Sequence, residues 1–253
     1  MKIHFALLTL LSCFLLTNCV PNKTIVYLQG NQNATVLAPN YEPIVQQDDM
    51  LYIRVSSAVA EGVAPFNLDS PTQNGISNSS FEFQKQSYLV SNSGTIDFPV
   101  LGNLQVAGLS VDKVKQLLIE KLMVYVKDPV VNIRLLNFKV SVLGEVTKPG
   151  IINVSSQRLT LLEALAQAGD LTLYGKRDNI LLIRDFQGTK SYNRIDITKA
   201  DFVNSPFYYL DQNDVIYVEP RKAKIDSTAI GSNVVTIISI LSFLITSTLI
   251  LTR

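Results

Sequence analysis

The sequence predicts an α+β protein with an apolar segment at each end. Short alternating strand patterns and two helical patterns are interspersed through the middle of the chain, and both termini are strongly hydrophobic. The elements between Tyr41 and Leu136 form one α+β unit, and a second unit begins near Phe138. We therefore expect two mixed domains, at residues 41–136 and 137–221, followed by a single C-terminal transmembrane helix within 222–253.

The first unit begins with a strand whose alternating apolar side chains share one face: Leu51, Ile53 and Val55. Two short strands around Asn92-Ser93-Gly94 predict a hairpin. Ser110 is a suitable N-cap for a helix that runs to about Met123, with apolar residues at helical spacing. Alternation then predicts a strand at Val130 to Leu136.

The second unit contains a strand pair and a capped helix. Lys148-Pro149-Gly150 is typical of a type II turn, because proline presets φ and glycine accepts a positive φ. Thr160 and Glu163 have the spacing of a capping box, and Gly169 suits the left-handed position after the helix. Two further strands are predicted on either side of a turn at Gly188.

A short internal repeat links the two units. Residues 47–53 (QDDMLYI) match residues 212–218 (QNDVIYV), and each match is a polar turn that leads into an alternating strand. We interpret this repeat as the same turn-strand device used once in each unit, and not as a catalytic motif.

The N-terminus has the layout of a secretory signal peptide at residues 1–18, with Lys2 followed by an apolar run. The segment that ends at Cys19 resembles a bacterial lipobox, which predicts a covalent lipid on Cys19; Cys13 is a competing site. Secretion with an unmodified cysteine and an N-terminal transmembrane anchor are the alternatives. Residues 19–40 have little periodicity and are interpreted as a tether.

The C-terminal segment from Val234 to Leu251 carries no charge, and eighteen helical residues span about 27 Å, close to one bilayer core. Hydroxyl residues fall on one side of the predicted helix: Ser232, Thr236, Ser239, Ser242 and Thr246. We interpret this stripe as facing a water-filled lumen, because lipid offers polar groups no partner. Packing of small residues between helices is the alternative.

The composition argues against several classes of protein. Without residues 1–18 the chain has no histidine and one cysteine, and removing Lys2 leaves 21 basic residues against 21 acidic ones. A catalytic relay through histidine, a thiolate-histidine pair and a zinc site of nitrogen and sulfur ligands are therefore disfavoured. The zero net charge disfavours nucleic acid as a partner. We expect no cofactor and no metal.

Paired carboxylates are the remaining route to an enzyme that acts on glycans. The candidates are the pair Asp48 and Asp49 and the pair Glu163 and Asp170. Glycoside hydrolysis needs two carboxyl groups that converge on one bond, but neighbours along a strand point to opposite faces. Glu163 is better explained by its capping box, so we do not expect an enzyme.

Several motifs resemble those of a known family. Residues 88–102, 106–110 and 125–130 resemble the polysaccharide export domain of outer-membrane polysaccharide export (Wza-type) lipoproteins. Residues 142–150 and 161–169 resemble the β-grasp SLBB domain of the same family. The order of these motifs, between a lipobox and a C-terminal apolar helix, identifies the chain as a member of that family.

The resemblance implies a fold and a function. The implied fold is a polysaccharide export domain followed by one β-grasp-like SLBB domain. The implied assembly is a ring-shaped homo-oligomer, lipid-anchored at the bacterial outer membrane with its soluble domains in the periplasm. Its channel would export a capsular or extracellular polysaccharide received from an inner-membrane polysaccharide copolymerase or chain-length kinase. The alternative is a monomeric membrane lipoprotein that binds a glycan or a protein partner.

Overall fold

A computed structural model describes residues 24–30, 41–58, 62–68, 87–186, 188–225 and 233–251. In the last of these ranges the side chains are described from 236 to 247. Cys19, and with it the predicted signal peptide, lies outside the described residues.

The first unit combines a three-stranded sheet, a hairpin and one helix. Its elements are β1 (Met50–Ser56), β2 (Ser87–Leu89), β3 (Thr95–Phe98), β4 (Gly102–Gln105), α1 (Val111–Leu122) and β5 (Val130–Leu135). The sheet order is β2-β1-β5, with both pairs antiparallel, and β3 pairs with β4. Alternation in β1 places Leu51, Ile53 and Val55 in the core, where they meet the buried face of α1.

The helix predicted from Ser110 to about Met123 and the strand predicted at Val130 to Leu136 are confirmed as α1 and β5. Ser110 caps α1, and its hydroxyl accepts a hydrogen bond from the backbone N–H of Lys113 at 3.3 Å. The predicted hairpin around residues 92–94 is wrong in its pairing. The two strands exist, but β2 pairs with β1, which is distant in sequence, and β3 pairs with the following strand, β4.

The second unit is a five-stranded mixed sheet covered on one face by a helix. Its elements are β6 (Lys139–Gly144), β7 (Gly150–Asn153), α2 (Leu161–Gln167), β8 (Gly175–Phe186), β9 (Thr189–Ile195) and β10 (Val215–Pro220). The sheet order is β7-β6-β10-β8-β9, in which β10 runs parallel to β6 and the other pairs are antiparallel. The inward side chains of the sheet and of α2 form one buried apolar cluster.

The capping predictions for α2 are confirmed. Thr160 and Glu163 form the reciprocal capping box, and Gly169 follows the helix with a φ of 74°. The type II turn predicted at residues 148–150 is wrong. Gly150 begins β7, and the positive φ (90°) falls on Gly144 at the end of β6 instead.

The described residues form two separate hydrophobic cores. One cluster lies between α1 and the three-stranded sheet, and the other lies between α2 and the five-stranded sheet. Leu135, at the end of β5, packs against both clusters. The last residues of β5 and the first of β6 therefore form the connection between the two units.

The described segment 24–30 packs on the second unit. The Tyr27 hydroxyl donates to Asp170 Oδ1 at 2.5 Å, and its ring lies 5.3 Å from the Arg177 guanidinium carbon. The backbone N–H of Leu28 donates to the carbonyl of Ile197 at 3.1 Å. This part of the predicted tether is thus attached to the second unit.

A helix, α3 (Asn233–Leu251), occupies the position of the predicted membrane span. Within the described part of the chain, however, no helix is long and apolar enough to cross a membrane. The transmembrane helix predicted at 222–253, and the fold class that included it, is therefore wrong, whereas the α+β architecture is confirmed.

Candidate functional site

The internal repeat forms the same turn in both units. Asp48 and Asn213 occupy equivalent positions, and both adopt the left-handed conformation, with φ of 65° and 64°. Aspartate and asparagine tolerate this conformation better than most residues with a side chain. The interpretation of segments 47–53 and 212–218 as one device used twice is confirmed.

Each turn buries a carboxylate at the start of its strand. Asp49 is 1% exposed and Asp214 is 0% exposed. Asp49 Oδ2 accepts a hydrogen bond from the backbone N–H of Gln46, and Asp214 Oδ2 accepts one from that of Asp211, both at 2.8 Å. The buried acids therefore close the two turns in the same way.

The two carboxylates differ in their counter-ions. Arg184 on β8 binds Asp214 with Nε 3.0 Å from Oδ1 and Nη2 2.7 Å from Oδ2, and its Nη1 lies 2.8 Å from Asp211 Oδ2. Burial raises the pKa of Asp214, and the pair with Arg184 opposes that rise. Asp49 has no such partner among the described residues, and its Oδ1 accepts no hydrogen bond there. Burial raises the pKa of Asp49 to about 6, against the effect of the Gln46 hydrogen bond.

One residue in the connection between the units contacts both turns. Asn137 Oδ1 accepts a hydrogen bond from the backbone N–H of Met50 at 2.9 Å, and its Nδ2 donates to the carbonyl of Asp48 at 2.9 Å. The side-chain amide of Gln212 donates to the carbonyl of Asn137, and its Oε1 accepts from the N–H of Lys139, both at 2.8 Å. Hydrogen bonds with both turns therefore fix the position of the connecting segment.

A cavity of about 570 Å³ lies at this junction. Binding pockets for small molecules fall in the range of about 300–1,000 Å³. Its lining comes from both units: Pro43, Val111, Ile133, Arg134, Leu135, Leu136, Phe138, Val154, Ser155, Ser156 and Gln157. Among the described residues, Arg134 is the one charged residue in this lining, so the lining combines apolar side chains, a single cation and polar side chains.

The carboxylates that were considered as catalytic pairs have structural contacts. Asp48 is exposed whereas Asp49 is buried, so the two side chains do not face one solvent-filled site. Glu163 accepts the backbone N–H of Thr160 at 2.8 Å in the capping box. Asp170 Oδ1 accepts from the N–H of Leu171 at 2.6 Å as well as from Tyr27.

Four of the five residues in the predicted hydroxyl stripe lie in α3: Thr236, Ser239, Ser242 and Thr246. Ser232 lies outside the described residues. The Ser242 hydroxyl donates to the carbonyl of Ser239 at 3.0 Å, and the Thr246 hydroxyl donates to the carbonyl of Ser242. These hydroxyls bond within the helix, and the lumen-facing role of the stripe stays a prediction.

The sequence reasoning missed Arg134 and the junction cavity. The signal for Arg134 was present in the alternation of β5, where Val131 and Ile133 point inward and Arg134 outward. The cavity could not be inferred from alternation, because its lining comes from four separate stretches of the chain.

Comparison with known proteins agrees with the two units. Residues 37–136 match the family model described as polysaccharide biosynthesis/export protein, and residues 138–218 match the SLBB domain. The chain is 30% identical over 139 residues to the EPS I polysaccharide export outer membrane protein EpsA of Ralstonia solanacearum, across 53% of this chain and 36% of that protein. It is 38% identical over 101 residues to the protein of the same name from Ralstonia nicotianae, across 38% of this chain and 26% of that protein.

These matches show a polysaccharide biosynthesis/export domain followed directly by an SLBB domain. The chain belongs to the outer-membrane polysaccharide export family, as its motifs predicted. The matched segments span about a third of the first relative and a quarter of the second.

Proposed function

We propose that this chain is a subunit of an oligomeric channel that exports an extracellular or capsular polysaccharide across the bacterial outer membrane. The observation that carries the proposal is the uninterrupted succession of an export domain and an SLBB domain over residues 37–218. The names of both relatives, which are outer membrane polysaccharide export proteins, support the location and the cargo.

The packing of the two units favours an assembly over a single chain. In the described residues the buried apolar side chains fill one core in each unit, and the cavity of about 570 Å³ at the junction has the size of a small-molecule pocket. A polymer needs a continuous passage through the protein. We infer that this passage lies between copies arranged as a ring.

The proposal includes an anchor and a partner. A lipid on Cys19 would hold the chain at the outer membrane with its two domains in the periplasm. The segment 24–30, which packs on the second unit, would keep that unit near the anchor. An inner-membrane polysaccharide copolymerase or chain-length kinase would deliver the polymer. The proposed role needs no cofactor, no metal and no catalysis by this chain.

The test is the assembly state of the full chain. Protein extracted in mild detergent is measured by native mass spectrometry and imaged by electron microscopy. We expect a multiple of the 28.0 kDa sequence mass, less any removed signal peptide, and a ring with a central hole. Deletion of the gene should abolish extracellular polysaccharide, and a plasmid copy should restore it. A monomer would favour a glycan- or partner-binding lipoprotein instead.

A further inference from the structure

The outward face of the first sheet carries charge of one sign. In β1, β2 and β5 the charged side chains are Arg54 and Arg134, and both are exposed. The register places Tyr52 directly opposite Arg134 and Arg54 opposite Asn132. Arg54 and Arg134 are therefore diagonal neighbours, with backbones about 7–8 Å apart. The face presents two guanidinium groups on either side of a tyrosine.

These two arginines differ from the cations of the second sheet. There, Arg184 is paired with Asp214, and Arg194 is paired with Glu219. Arg54 and Arg134 have no ion pair or hydrogen bond from their guanidinium groups within the described part of the chain. Fixed side-chain cations with no protein acid beside them are complementary to an anionic ligand.

Arg134 also belongs to the junction cavity, where it is the single charged residue among the described residues of the lining. The lining also includes the exposed polar residues Ser155 and Gln157. Phe138 lies in the apolar part of the lining. A guanidinium with hydroxyl and amide groups beside it is the combination that would recognise a carboxylate and the ring hydroxyls of an acidic sugar.

We propose that the junction cavity and the adjoining sheet face bind a carboxylate-bearing polysaccharide. Arg134 pairs with the carboxylate of one uronate unit held in the cavity, and the polar side chains of the lining bind its hydroxyl groups. Tyr52 and Arg54 bind the next acidic sugar of the polymer along the outer face of the sheet. This inference rests on the proposed function and deepens it, because it assigns the chemical class of the exported polymer.

The test measures binding to the full chain in mild detergent by isothermal titration. The probe is a short oligogalacturonate, and the matched ligand is its carboxyl-reduced neutral counterpart. We expect Arg134→Gln to weaken binding of the acidic probe about tenfold and Arg54→Gln about threefold, because a charge-assisted contact is lost in each. Lys115→Gln removes the same charge from an exposed position on α1 and should leave binding unchanged.

Further measurements separate a ligand contact from a folding effect. Arg134→Lys should bind more tightly than Arg134→Gln and more weakly than the wild type, since it keeps the charge without the bidentate geometry. All variants should keep the wild-type melting temperature. Equal binding of the acidic and neutral oligosaccharides, or equal loss in Arg134→Gln and Lys115→Gln, would overturn the inference.

The outcomes distinguish this inference from the proposed function. If the gene is needed for export but the protein does not prefer the acidic probe, the channel proposal stands and the carboxylate site is rejected. If the acidic probe binds through Arg134 but deletion of the gene leaves export intact, the site stands and the channel proposal is rejected.

Discussion

Arg184 and Asp214 form a bidentate ion pair between two central strands of the second sheet, with N···O distances of 3.0 and 2.7 Å. The Asp214 side chain is 0% exposed and that of Arg184 is 15% exposed. The pair therefore lies in the part of the sheet where an unpaired charge costs most. Arg194 and Glu219 form a second, more exposed pair in the same sheet, and this pair serves as a control.

Arg184→Met should destabilise the protein by about 3–5 kcal/mol, because it leaves the buried Asp214 carboxylate without a counter-ion. Arg194→Met removes a cation that is 51% exposed and should change stability by less than about 1 kcal/mol. Urea denaturation followed by circular dichroism measures both. Similar losses of unfolding free energy in the two variants would show that the buried pair contributes no more to stability than the exposed pair.

Asp49→Asn tests the other buried carboxylate. Its pKa is raised from the ordinary 3.8 to about 6 in the folded state, so the folded protein binds this proton more tightly than the unfolded chain does. The protein therefore loses stability through this group as the pH rises from about 4 to about 6. Above pH 6 the full loss is about 3 kcal/mol.

The variant Asp49→Asn removes the buried charge and should be more stable than wild type at pH 8 but equal to it near pH 4. Denaturant unfolding across that pH range is the measurement. Asp48→Asn is the control, because Asp48 is exposed and asparagine accepts its positive φ. A wild-type and Asp49→Asn difference that is independent of pH would contradict the assignment.

Asn137→Ala should weaken the connection between the two units. It removes the acceptor for the Met50 N–H and the donor to the Asp48 carbonyl, at a cost of about 1–3 kcal/mol. Hydrogen exchange should show faster exchange at the Met50 amide. The exposed Asn132 on β5 provides the matched control, and Asn132→Ala should leave that amide protected.

Gly144→Ala should be strongly destabilising. A Cβ at this position would lie 2.1 Å from the carbonyl oxygen of Val218, and the φ of 90° is unfavourable for alanine. Gly188 has a similar φ of 79°, but a Cβ there meets nothing within 4 Å. Gly188→Ala should therefore cost only the backbone strain, and comparing the two melting temperatures isolates the effect of the close approach.

Cys19→Ser should abolish incorporation of labelled fatty acid and leave an uncleaved precursor, whereas Cys13→Ser should do neither. The reason is that cleavage before Cys19 leaves an apolar segment of ordinary signal-peptide length. Metabolic labelling followed by electrophoresis measures both effects. Labelling that persists in Cys19→Ser would move the lipid to Cys13 or remove it from this protein.

The features that the sequence predicted correctly depend on neighbours in the chain. The Ser110 cap, the Thr160–Glu163 capping box and the left-handed Gly169 each involve residues within a few positions of one another. The alternating faces of β1 also follow from its own residues. Local backbone geometry therefore determines these elements.

The features that were missed depend on contacts between distant segments. The pairing of β2 with β1 and the parallel pairing of β10 with β6 join parts of the chain far apart in sequence. The counter-ion of Asp214 lies 30 residues away, on β8. The repeat predicted two similar turns. It could not predict that Asp214 has a counter-ion and that Asp49 has none among the described residues, because the counter-ion comes from a distant part of the chain.

The central place of β10 affects the order in which the molecule folds. The strands and helix of the first unit are all present once the chain has reached Leu135. The second sheet, by contrast, has its last strand in the middle, so β6 and β8 have no common partner until residues 215–220 have been synthesised. Because synthesis proceeds from the N-terminus and the second sheet needs this last strand, we expect the second unit to complete its fold after the first. Any chain that stops before β10 leaves two long strand edges exposed to aggregation.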